Sequence, residues 1–86
     1  MSVTPQALVD ELHAEIKRRS SVPKVAKAVG IDYSTLRANL RHETSMKLST
    51  LLAACQAIGM TFDDLYEITK ARLELTRPRA EELTAR

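Results

Sequence analysis

Two guanidiniums and two hydroxyls recur on one side of a short segment of this chain. Tyr33, Ser34, Arg37, Ala38 and Arg41 fall on the outer arc of a helix whose opposite side carries Leu36 and Leu40. Arginine forks and short hydroxyls at that spacing suit hydrogen bonding to the base edges of a DNA major groove. The other reactive side chains build less. His13 follows Asp10 by three and precedes Glu15, but two ligands on one helix do not make a metal site, which needs three or four with a supporting shell. His42 and Glu43 lie in a polar loop and form no acid–base pair. Cys55, the single cysteine, falls on an apolar helix face and reads as a small core residue rather than a nucleophile. Neither a phosphate-cradling glycine loop nor a Ser/His/Asp set can be assembled. No enzyme, cofactor or metal is expected.

The elements that must hold the outer arc are legible as an all-α chain. Thr4-Pro5 starts a first helix, expected over residues 5–19, with Leu8, Val9, Leu12 and Ile16 on its inner face. Lys17, Arg18 and Arg19 occupy its last turn, where cations suit the negative end of the dipole. Ser21 is the N-cap expected for a second helix, with Pro23 in its first turn and Val25, Ala26 and Val29 buried. Gly30 stops it, since a helix stop of this kind takes the left-handed conformation. Asp32 is expected to cap a third helix from Tyr33 to about Arg41. Residues 42–47 read as a polar loop. Leu48, Leu51, Leu52, Cys55 and Ile58 mark a fourth helix, stopped at Gly59. Thr61 with Asp64 three residues on is a capping-box variant that opens a fifth helix, expected to reach Glu74–Thr76. Pro78 is expected to end or restart it. The tail beyond is expected to add a turn or two or to fray.

Length and composition set the frame. Eighty-six residues make one small domain, and 44% hydrophobic with 28% charged residues is an ordinary globular balance. One cysteine excludes an intramolecular disulfide framework. No apolar run approaches the ~20 residues of a membrane span, and residues 1–10 show no signal-peptide pattern. The expected location is cytoplasmic. The net charge of +2 is unevenly placed: residues 21–47 carry +3, residues 48–69 carry −3 and residues 70–86 carry +2. A polyanion partner would face the middle segment.

Residues 22–41, VPKVAKAVGIDYSTLRANLR, combine these features. A short helix, a glycine turn and a second helix meet at the small Ala26, with Ile31 and Leu36 plugging the junction. That is what a helix-turn-helix requires. With the later block LSTLLAACQAIGMTFDDLY, the motif VAKAVGIDYSTL resembles the Cro/phage-repressor type of helix-turn-helix, the xenobiotic-response-element family, over about residues 12–68. The resemblance implies a compact bundle of about five helices, here with a C-terminal helical extension or tail. It divides the chain into a DNA-binding domain over residues 1–76 and a tail over residues 77–86.

Carried over by position, the resemblance makes Tyr33 and Ser34 base-reading residues. Arg37 and Arg41 reach guanine edges or phosphates, and Ala38 meets a thymine methyl or is inert. Ser21, Lys24, Thr35 and Lys47 lie near helix starts or the following loop, where phosphates are commonly held. A solvated helix face fits Lys24 equally well and Lys27 better, and packing is the alternative role for Tyr33. One position departs from the family pattern. An apolar residue usually stands three after Leu36, and here it is Asn39, followed by Leu40. Either the third helix is rotated slightly, or Asn39 sits at the interface edge with its amide bonded.

The function this implies is a sequence-specific transcriptional regulator on double-stranded DNA, a prokaryotic or phage-type repressor that blocks by operator occupancy through helix 33–41. Such proteins commonly bind as homodimers. The expected dimer or partner surface is Tyr66, Leu73, Leu75 and Leu83, with the alternative that Leu73 and Leu75 fold back onto the first helix. A second reading is a protein-interaction module of the same fold, an antitoxin or phage protein gripping a partner through its C-terminal segment.

Overall fold

The computed structural model describes residues 3–85, with the side chains of residues 3–75. Five helices follow one another: α1 (Pro5–Arg19), α2 (Val22–Val29), α3 (Tyr33–Leu40), α4 (Leu48–Ala57) and α5 (Phe62–Ala85). There is no strand among the described residues. The all-α bundle is the architecture expected from the sequence.

Local chemistry sets most boundaries. The Thr4 hydroxyl accepts from the Ala7 N–H at 3.1 Å, and Pro5 takes the first helical position of α1. Ser21 accepts from the Lys24 N–H at 3.4 Å. Gly30, at φ 85°, ends α2 in the left-handed region, and its N–H and that of Ile31 both donate to the Ala26 carbonyl. Gly59, at φ 77°, turns the chain out of α4. The capping box at α5 is reciprocal: the Thr61 N–H donates to Asp64 Oδ2 and the Asp64 N–H to Thr61 Oγ1, both at 3.0 Å. Hydrogen bonding to the Asp64 carboxyl, first from the Thr61 backbone N–H and then from the Thr61 side chain, holds it below its ordinary range.

Two expectations at helix ends are corrected. Asp32 stands at the N-cap of α3, yet its side chain makes no capping hydrogen bond. The carboxylate is exposed and stays hydrated, so what it contributes there is charge at the positive end of the dipole. The fifth helix does not end near Thr76 or break at Pro78 but continues to Ala85. Proline lacks one N–H, and that single lost bond is set against strong helix formers on the far side, Ala80, Glu81, Glu82 and Leu83.

The core draws on every helix. Leu12 and Ile16 of α1, Val25 and Ala26 of α2, Leu36 and Leu40 of α3, Ala54 and Cys55 of α4, and Leu65 of α5 are all buried. Burial pushes the Cys55 thiol up, which suits a packing role.

A polar seam joins α1 to α5. Glu11 and Glu15 are buried on α1. Glu11 accepts from Arg72 Nε at 2.5 Å and from Arg18 at 3.1 Å, and Glu15 accepts from Arg19 Nε at 2.9 Å and from Arg18. The basic last turn of α1 is therefore engaged by its own acids and by the dipole.

Candidate nucleic-acid interface

Helix α3 has two unlike sides. Leu36, Asn39 and Leu40 are buried against the bundle. Tyr33, Ser34, Thr35 and Arg37 are exposed, Ala38 is half-buried, and Arg41, the C-cap, is exposed. Among the described residues that second side stays largely open to solvent beyond the Gly30 turn. Tyr33 is 46% exposed, so its ring is not a core residue. Arg37 forms no ion pair among the described residues, whereas Arg41 Nε lies 3.5 Å from Glu43 Oε2.

The four expected phosphate positions are placed as follows. Lys24, Thr35 and Lys47 are exposed; Ser21 is half-buried with its hydroxyl engaged as the α2 cap. Lys47 is the N-cap of α4, and no side chain caps that helix. Its first N–H groups and the Lys47 ammonium lie at one helix start, an arrangement that favours anions. Lys27 is also exposed.

Asn39 resolves the departure from the family pattern. The residue is buried, and its Nδ2 donates to Thr44 Oγ1 at 2.6 Å and to the Ser45 carbonyl at 3.4 Å. The bonded amide ties α3 to the loop that leads to Lys47, so α3 keeps its register with Leu36 and Leu40 inside. Asn39→Ala is expected to lower stability by about 1–2 kcal/mol in urea denaturation, because two hydrogen bonds are lost while Thr44 and Ser45, both exposed, regain water.

Two further loop contacts carry no signal in the sequence. His42 adopts φ 62°, the one positive φ outside glycine among the described residues. Its Nε2 lies 2.6 Å from Asp10 Oδ1, which anchors the loop to α1. Glu43 follows and meets Arg41. His13, one turn along α1 from Asp10, is made harder to protonate by partial burial and then by Lys17, against the pull of Asp10. Among the described residues no three His, Cys, Asp or Glu side chains converge as metal ligands.

The expected dimer residues differ in exposure. Tyr66 is 38% exposed and Leu75 is 80% exposed. Leu73 is half-buried and lines a groove of about 390 Å³ with Ala7 and Ala14 of α1. The Leu83 side chain lies outside the described residues. No described helix is long and apolar enough to cross a membrane.

Comparison with known proteins agrees with this geometry. The family of Cro/C1-type HTH DNA-binding domains matches residues 15–71, which take in the end of α1, all of α2 to α4 and the first part of α5. Neither the curated proteins nor the solved structures give a match. Spanning well over half of the sequence and taking in the whole α2–α3 turn, the match establishes that the chain belongs to the Cro/C1-type helix-turn-helix DNA-binding domains.

Proposed function

We propose that this chain is a sequence-specific transcriptional regulator that represses by occupying its operator, with α3 in the major groove. One observation carries the reading: Ser34, Arg37 and Arg41 on one side of α3 are exposed while Leu36, Asn39 and Leu40 on its other side are buried. Tyr33, Ser34, Arg37, Ala38 and Arg41 are the proposed base contacts. Ser21, Lys24, Thr35 and Lys47 are the proposed phosphate contacts, which fix register and carry no sequence information. The protein works in the cytoplasm as a homodimer, with recognition helices about 34 Å apart along the DNA. Tyr66, Leu73, Leu75 and Leu83 supply the dimer contact, and residues 77–86 extend it.

The 80% exposure of Leu75 favours a second reading, in which the C-terminal segment grips a protein partner. The two readings separate on Arg37 and Arg41. Substituting both abolishes operator binding in the first and leaves a protein complex intact in the second.

The deciding experiment is fluorescence anisotropy of the full chain on the DNA upstream of its own gene and on a scrambled duplex, over a salt series. A preference of ~10³ or more for the native duplex, weakening steeply with salt, is the expected result. Absence of binding to either duplex at low salt would overturn the DNA reading.

A further inference from the structure

Glu43 is the only acidic residue between Tyr33 and Lys47. A carboxylate beside a recognition helix opposes a polyanion, so its placement calls for a physical account. The backbone fixes it. Arg41 closes α3, His42 turns through the left-handed region, and the Glu43 N–H then donates to the Ala38 carbonyl at 2.9 Å. The Asn39 amide and the His42–Asp10 contact hold the same loop from both sides.

This turn brings together two side chains that would diverge on a regular helix, where residues two apart do not face each other. Arg41 and Glu43 meet at 3.5 Å, and their side chains are 50% and 59% exposed. A pair so exposed contributes little to stability. Its larger effect is on charge: one of the two guanidiniums of the α3 surface is paired with a carboxylate before any DNA arrives, while Arg37 forms no ion pair among the described residues.

We propose that Glu43 is a selectivity residue, which withholds Arg41 from the phosphates of arbitrary DNA and yields it only where the operator offers a better partner. Non-specific binding depends on the number of phosphates neutralised, each adding about 0.9 to the salt slope. A paired Arg41 does not add to that number. At a phosphate, release from Glu43 only exchanges one anionic partner for another of similar bidentate geometry, whereas a guanine edge adds an oriented fork contact at O6 and N7 that arbitrary DNA does not present in register. The exposed carboxylate returns to water at small cost. This inference rests on the DNA-binding reading above.

The test uses the full chain, a duplex selected by the wild-type protein from a random pool, and a scrambled version of it. Glu43→Gln is expected to tighten scrambled-duplex binding by about 3- to 10-fold at low salt and to steepen its salt slope by about 0.9. Affinity for the selected duplex changes less, so the specificity ratio falls. In an Arg41→Gln background, Glu43→Gln is expected to tighten scrambled-duplex binding clearly less, since only the direct repulsion between the carboxylate and the phosphates is then removed. Equal tightening on both duplexes, persistence of the full effect without Arg41, or no tightening at all would each overturn the proposal. If the wild-type chain binds no duplex, the DNA reading fails and takes this proposal with it. If the wild type binds and only the variant pattern fails, this proposal falls alone.

Discussion

Leu36→Ala is expected to lower the melting temperature by roughly 10–30 °C. The side chain has no solvent exposure and belongs to the shared core, on a helix that packs against both α2 and α1. Truncating a fully buried leucine costs about 2–5 kcal/mol, from lost transfer energy and the cavity left behind. A domain of this size has a total stability of only about 4–13 kcal/mol, and each kcal/mol moves the midpoint of a 60–100-residue domain by about 4–8 °C. Leu36→Met, which nearly conserves volume, is expected to cost less than about 1.5 kcal/mol. Thermal melts followed by helical circular dichroism check both. A shift below about 4 °C for the alanine variant would mean that the α2–α3 junction collapses around the gap, and that its angle is not set by this contact.

The helix-turn-helix was legible because its punctuation is local. Thr4, Ser21, Gly30, Gly59 and the Thr61–Asp64 box act within three or four residues of themselves, so the type and order of the surrounding residues suffice. The inner faces of α1 to α3 were legible for a related reason, since the helical period sorts leucines from arginines, whereas on α4 the leucines mark the helix but Leu48 and Leu52 are exposed. What escaped the sequence depends on distant partners. Glu11 and Glu15 look like surface acids, and it is the docking of α5 that buries them and brings Arg72, 61 residues away, onto Glu11. His42 gives no sign of its left-handed turn, because the compensating contact to Asp10 spans 32 residues. The same holds for the persistence of α5 past Pro78. A missing N–H predicts a break, while the balance of helix propensity on both sides decides against it.

The candidate interface divides in the same way. Its location follows from the period of α3 and the bulk of Leu36 and Leu40. The state of each side chain on it does not. Arg37 and Arg41 are equivalent in the sequence, four residues apart on one helix. Among the described residues Arg41 is paired and Arg37 is not, because a loop held by Asn39 and His42 returns Glu43 to Arg41.

That asymmetry makes Arg37 the residue whose loss should weaken operator binding most directly. Arg37→Ala is expected to reduce affinity for the selected operator by roughly 5- to 150-fold, which corresponds to about 1–3 kcal/mol for a forked contact to guanine. Because the side chain is exposed and unpaired among the described residues, the melting temperature should stay close to that of the wild type. Salt dependence then tells a base contact from a phosphate contact. Loss of a base contact lowers operator affinity with little change in salt slope and leaves scrambled DNA almost unaffected. Loss of a phosphate contact weakens both duplexes alike and reduces the slope by about 0.9. Arg37→Lys adds an independent criterion, since it keeps the charge and removes the planar fork. A lysine that restores binding identifies Arg37 as a phosphate clamp. A lysine that remains as weak as alanine at the operator places the guanidinium on a base edge, where geometry rather than charge is read.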